Sequence, residues 1–178
     1  MYAHAKDLTV SRSCRLRVRV EFRLAHASDL EALEWFGEYT DQRELIADAF
    51  RRQQHGDIIM LLGVIGGFPA AQIWIDLVRQ KRDLVGMLYA LRVFFPLQGS
   101  GLGRLLVRAA EIELRTRGFR AAEIGAEKEN PRARALYERL GYAVIGERVD
   151  PLVYRQPDGK LVEDTVDQWI LSRELLRT

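Results

Sequence analysis

The sequence predicts a single α/β domain with a mixed central β-sheet of about 6–7 strands flanked by about 4 helices. Three observations carry that reading. Strand-like and helical periodicities alternate along most of the chain. Gly66-Gly67 between two apolar runs signals an antiparallel hairpin. An apolar run ending at Pro96 passes through a glycine loop into a helix, so the strand after that helix must run parallel to the one before it. A length of 178 residues supports one domain with a full-sized core. Residues 1–14 lack a clear period and read as a loose lead-in, with the folded domain spanning 15–178.

From Arg15 to Leu24 apolar and charged residues alternate strictly, with Leu16, Val18, Val20, Phe22 and Leu24 on one face and mostly arginines on the other. This is a strand with one solvated face. Ser28 and Glu31 form a capping-box pattern for a helix carrying Leu30, Leu33 and Phe36. A second helix follows over Glu44 to Gln54 and stops at Gly56. Ile58–Ile65 and Ala70–Val78 are the hairpin strands, and a charged turn over Arg79–Asp83 leads to a strand from Leu84 to Phe95. Leu102, Leu105, Leu106, Ala109 and Ala110 step at helical spacing up to Gly118. Phe119–Ala126 is the parallel strand. Asn130-Pro131 then caps and opens a helix that Gly141 ends. Strands over Tyr142–Val149 and Val166–Ser172, with a turn at Pro157-Asp158-Gly159, complete the domain.

Composition narrows the function classes. With 27 basic against 25 acidic residues the formal charge is only +2, so the chain lacks the excess of a dedicated nucleic-acid binder. A lone cysteine, Cys14, excludes an internal disulfide, and the scattered His4, His26 and His55 offer no zinc cluster, so no metal is expected. No apolar run reaches membrane-spanning length and no signal-peptide core is present, which makes a cytoplasmic location without membrane attachment the expectation.

The chemistry gathers around Gln98-Gly99-Ser100-Gly101-Leu102-Gly103-Arg104. A strand, a glycine loop and a helix N-terminus in that order form an anion site, because converging amide N–H groups and the helix dipole both favour negative charge. The side chains of Gln98 and Arg104 add donors. The third glycine comes one residue early for the dinucleotide fingerprint, and no Gly-Lys-Ser/Thr follows for a P-loop. On these residues alone the loop is either a phosphate cradle or a flexible turn.

A second segment decides between them. Leu91-x-Val93, the glycine loop, and Asn130-Pro131-Arg132-Ala133-Arg134-Ala135-Leu136-Tyr137-Glu138-Arg139-Leu140-Gly141-Tyr142 together resemble the GNAT superfamily of acyl-CoA-dependent N-acyltransferases. The first part is similar to that family's pyrophosphate loop and the second to its Asn-x-x-Ala-x-x-Leu-Tyr segment. The resemblance implies a GNAT fold with splayed parallel strands at the acyl-CoA site and acetyl-CoA as co-substrate. It implies main-chain contacts to the pantetheine at Leu91 and Val93, an N–H near Val93 polarising the thioester carbonyl, and Asn130 beside the pantetheine. Tyr137 matches the general acid that protonates the departing thiolate. Phe95 stands where relatives often carry proline.

Some relatives place a glutamate base on the strand entering the loop, and this sequence has no carboxylate between Leu84 and Phe95. Glu127 and Asp76 are the remaining candidates. Acceptor contacts are expected between the first two helices, at Trp35, Phe36, Glu38, Tyr39 and Asp41, and at the connection between the last strands, at Asp150, Leu152 and Tyr154. Helix packing alone also accounts for the aromatics among them. Aromatics with carboxylates suit a cationic amine on a small molecule or peptide. The expected activity is acetyl transfer to that amine by direct attack, since Cys14 lies far in sequence from both motifs. The alternative is a catalytically silent acyl-CoA-binding sensor on the same fold. A homodimer is implied only by the family's habit.

Overall fold

The computed structural model describes residues 17–175; the lead-in at 1–14, including Cys14, and the first two residues of the predicted opening strand, Arg15 and Leu16, lie outside them. Seven strands form one sheet in the order β1-β2-β3-β4-β5-β7-β6. They are β1 (Glu21–Leu24), β2 (Ile58–Ile65), β3 (Phe68–Gln80), β4 (Val85–Val93), β5 (Ala121–Glu127), β6 (Ala143–Arg155) and β7 (Leu161–Glu174). Three α-helices flank it: α1 (Arg43–Gln54), α2 (Leu102–Thr116) and α3 (Pro131–Arg139). Every pairing is antiparallel except β4 with β5, as the intervening α2 requires.

β3 runs through the middle of the core, and Ala70 to Ile75 are buried on both faces. On one face Leu102, Leu106, Val107, Ala110 and Leu114 of α2 cover Ile73, Ile75 and Leu88. On the other Ile46 and Ala49 of α1 pack with Met60, Leu62 and Trp74. The period-2 and period-3.6 patterns of the sequence therefore point where they should. No helix of the described residues is long and apolar enough to cross a membrane.

Three elements differ from expectation. The first strand is only four residues long, although the alternation runs from Arg15. Glu21 pairs with Val64, and the hairpin turn ends β2 one residue later at Ile65, so positions before Glu21 find almost no partner strand. Its solvated face is also less idle than expected, since Arg23 makes a two-pronged bond to Asp29 at 2.7 and 2.8 Å.

The helix expected from Ser28 is replaced by short 3-10 turns over Ala27–Asp29, Ala32–Gly37 and Thr40–Gln42. Asp29, rather than Ser28, does the capping, accepting the His26 N–H at 2.7 Å. Trp35 and Phe36 adopt left-handed backbone angles, with φ of 46° and 59°, which stops a regular helix. Trp35 is held there from a distance: its indole N–H donates to the Pro69 carbonyl at 2.8 Å, and its ring meets Tyr39 and Phe94 edge-on. Finally, β6 and β7 are longer than their apolar patterns, because much of that hairpin is exposed and carries little hydrophobic signal. Asp150, Leu152 and Tyr154 accordingly lie on strand β6, not in a connection.

Candidate active site

β4 and β5 run side by side only from Val85↔Ala121 to Leu88↔Ile124. Beyond that point β4 stays on β3 and β5 stays on β7, so a gap opens between the two parallel strands. A β-bulge sets the divergence. Three steps on β4, Tyr89 to Arg92, oppose two steps on β3, Trp74 to Gln72, and Ala90 takes a φ of 50°. Past the bulge, Phe94 donates its N–H to the Ala70 carbonyl at 2.9 Å. Alternation along the strand then turns the Val93 N–H away from β3 and into the gap.

The glycine loop sits at the end of β4. Gly99 and Gly101 have φ of 77° and 88°, and nothing lies within 4 Å of where their side chains would be. They are glycine for backbone conformation and leave open space in front of the loop. The amide N–H groups of Gly99, Gly101, Gly103 and Arg104 donate to no backbone carbonyl of the described residues. At the first turn of α2 this is a cradle of unpaired donors, the chemistry a pyrophosphate needs. Gly103 differs, since a Cβ there would make ordinary contact with Val93 and Leu136 at 3.5 and 3.9 Å. The Gln98 side chain donates to the Val93 carbonyl at 3.2 Å and braces the loop against the strand.

A cleft of about 680 Å³ occupies the splay and the ground between α1, α3 and β6. Leu91, Asn130, Tyr137, Glu127 and Asp76 all border it. Asn130 caps α3 by accepting the Ala133 N–H at 3.0 Å with its side-chain oxygen. That leaves its amide NH₂ group without a part in the cap. Tyr137 is 5% exposed. Burial, with the charge of Glu127 added, raises the Tyr137 phenol well above its ordinary value, so it stays protonated at any working pH.

The two candidate bases stand differently. Both oxygens of Asp76 are engaged: one accepts the Val78 and Arg79 N–H groups at 2.9 Å, and the other accepts Arg52 at 2.8 Å. Burial alone would raise its pKa, but those donors outweigh it and hold the carboxyl below its usual range. Glu127, at the end of β5, is exposed, and its charge reaches both Tyr137 and Arg92.

The expected acceptor residues do not come together in the cleft. Trp35 is buried in the core at 2% exposure, away from the cleft. Phe36 is 87% exposed and stacks on Phe68 instead. Glu38 and Asp41 are exposed, and Tyr154 does not line the cleft. Asp150 and Leu152 do line it, but the Asp150 carboxylate is bound by Arg79 at 3.0 Å and Arg148 at 2.7 Å. Tyr39 enters only indirectly, as the ring beneath the Arg92 guanidinium at 4.2 Å.

Two features were missed. Arg92 lies in the cleft on β4, a position that local pattern reads merely as the polar face of a strand. Gln168 of β7 lies over Gly125 and donates to Asp150 at 2.7 Å; a Cβ on Gly125 would meet the Gln168 side-chain oxygen at 1.8 Å. A mid-strand glycine in β5 was the available signal for that close approach.

Among the described residues no cluster of His, Cys, Asp and Glu could hold a metal ion. Known proteins align with this geometry. The fold is shared with an N-acetyltransferase from Staphylococcus aureus Mu50 (TM-score 0.68, 14% identity, 89% of this chain and 99% of that one). It is shared too with a phosphinothricin acetyltransferase from Sinorhizobium meliloti in complex with AcCoA (TM-score 0.66, 16% identity, 87% and 88% covered). In sequence, 60 residues are 47% identical to a mycothiol acetyltransferase from Beutenbergia cavernae, a stretch that is 34% of this chain but 20% of that relative's length. The model of the acetyltransferase (GNAT) family matches residues 23–142, from β1 through α3. By that match, which takes in the splay, the glycine loop and Tyr137 and covers more than half of the sequence, the chain belongs to the acetyltransferase (GNAT) family.

Proposed function

We propose that this protein is an acetyl-CoA-dependent N-acetyltransferase that moves an acetyl group to a primary amine by direct attack on the thioester. The observation that carries the reading is the splay of β4 from β5: Leu91, Asn130, Tyr137 and Glu127 line the cleft there, and β4 runs on past Val93, whose N–H turns from β3, to the unpaired amides of the glycine loop.

In this reading the amides of Gly99, Gly101, Gly103 and Arg104 hold the pyrophosphate, and Leu102 anchors their helix in the core. Leu91 and Val93 offer their main chain to the pantetheine, and Asn130 faces it from the start of α3. Ser100 and Gln98 shape the loop, the Ser100 hydroxyl accepting from the Leu102 N–H at 3.4 Å. The Val93 N–H stabilises the charge that develops on the carbonyl oxygen during attack.

Glu127 takes a proton from the incoming ammonium, directly or through one water, which frees the lone pair. As the new C–N bond forms and the C–S bond breaks, the leaving thiolate receives the Tyr137 proton. Asp76 is not assigned the base, because its oxygens are already committed to Arg52 and two backbone N–H groups. A cytoplasmic location belongs to this reading as the sequence expectation, and a homodimer on the strength of the family resemblance alone.

The test is free-thiol release from acetyl-CoA with a panel of small amines and peptides, followed by two-substrate initial rates. Intersecting double-reciprocal lines are expected. Parallel lines would exclude direct transfer, and tight CoA binding without turnover on any amine would replace the enzyme with a sensor.

A further inference from the structure

Arg92 takes no part in the steps above. Four arginines line the cleft: Arg52, Arg79, Arg92 and Arg148. Three of them are ion-paired, Arg52 with Asp76 at 2.8 Å, and Arg79 and Arg148 sharing Asp150 at 3.0 and 2.7 Å. Arg92 has no ion-pair partner among the described residues. Its Nη2 donates to Gln42 Oε1 at 2.6 Å and its plane lies over the Tyr39 ring at 4.2 Å. These contacts fix the guanidinium without neutralising it. Its Nη1 is buried and has no hydrogen-bond partner among the described residues.

A buried cation with an open donor is costly unless an anion completes it. The fork geometry of arginine suits a carboxylate best. Arg92 also lies beyond the β4 bulge, one residue before Val93, and within electrostatic reach of Glu127. Arg92 lines the cleft as well, so an anion on its guanidinium would sit beside the reacting centre, with the proton acceptor close by.

The geometry points to an acceptor that is a small amino acid, with its carboxylate on Arg92 and its ammonium toward Glu127. This rests on the acetyltransferase reading above and adds the substrate class. It narrows the acceptors that the sequence leaves open to one with an anion near its amine: of the aspartates in the cleft, Asp76 and Asp150 are both engaged by arginines, which leaves Glu127 for the ammonium. A peptide N-terminus fits less well, since its neighbouring carbonyl is an amide and carries no charge.

The experiment pairs free α-amino acids with their α-amides and measures kcat/KM by thiol release from acetyl-CoA. The amide's amine is the less basic and hence the more available, so intrinsic reactivity favours the amide. We expect the wild-type protein to prefer the free acid by about 10- to 100-fold, the span of one charge-assisted hydrogen-bonded pair. Arg92→Met should bring the ratio close to unity while the KM for acetyl-CoA stays unchanged. Arg92→Lys keeps the charge, loses the fork and should give an intermediate ratio; it also serves if the methionine variant fails to fold. Equal or faster acetylation of the amides by the wild type would overturn the inference and leave the acetyltransferase reading standing. So would an acid preference that survives in Arg92→Met. No thiol release with any acceptor would overturn the acetyltransferase reading, and this inference with it.

Discussion

Replacing Tyr137 by phenylalanine removes one oxygen and very little else. The ring is 5% exposed and tilted against Tyr142 at a centroid distance of 6.3 Å, and a phenyl ring fills the same space. Among the described residues no side-chain hydrogen bond holds the hydroxyl, so stability should change by less than about 1 kcal/mol. The loss falls on catalysis. Without a proton donor the thiolate must leave as an anion in a cleft that burial makes poor at solvating it. General-acid catalysis contributes about 10²- to 10⁴-fold, so kcat should fall by that factor, or about 2.7–5.4 kcal/mol of barrier. The KM for acetyl-CoA should hardly move, because the glycine loop and the β4 main chain are untouched. Steady-state thiol release and a thermal melt on the same preparations read both quantities. A variant with full kcat would remove Tyr137 as the acid, and one that lost turnover and fold together would show that the hydroxyl is structural.

Three further outcomes follow from the geometry. Glu127→Gln should lower kcat/KM about 100-fold near neutral pH, with the deficit shrinking at alkaline pH as the acceptor loses its proton unaided; a pH–rate profile unchanged from wild type would refute the base assignment. Gly86→Ala would put a methyl 2.2 Å from Leu114 Cδ2, on a side chain with no exposure and no room to retreat. It should cost about 1–3 kcal/mol, or about 2–12 °C in Tm, with activity per folded molecule preserved. The Asp29 carboxyl is held below its ordinary range by the Arg23 guanidinium, against the opposing effect of burial. The unfolded chain therefore takes up that proton first, so the pair's stabilisation is complete above about pH 5 and lost as pH falls below about 4. Asp29→Asn should lower Tm at neutral pH and flatten the acid limb, and an acid limb identical to wild type would show that the pair contributes nothing.

What the sequence revealed and what it concealed divide along a physical line. The hairpin at Gly66-Gly67, the cap at Asn130-Pro131 and the amide cradle at Gly99–Arg104 depend on backbone preferences of adjacent residues, and those are written locally. The bulge at Ala90 and Leu91 depends on how β4 counts against β3, and neither residue type announces it. The 3-10 turns in place of the first helix depend on Trp35 reaching a carbonyl 34 residues away. The carboxylates fall on the same side of that line. Carboxylates at 76 and 150 look available in the sequence, and only the fold brings Arg52, Arg79 and Arg148 onto them. Arg92 stands out only once Gln42 and Tyr39 are seen to hold it without neutralising it.

The central claim is that one gap, from the glycine loop past Val93 to Tyr137, takes acetyl-CoA. Titrating the protein with CoA while following backbone amide resonances tests it at the residues named. The account predicts that the N–H signals of Gly99, Gly101, Gly103, Arg104 and Val93 move most, with those of the distal β6–β7 hairpin still. Saturable shifts confined to that hairpin, with the glycine-loop amides unmoved, would contradict it.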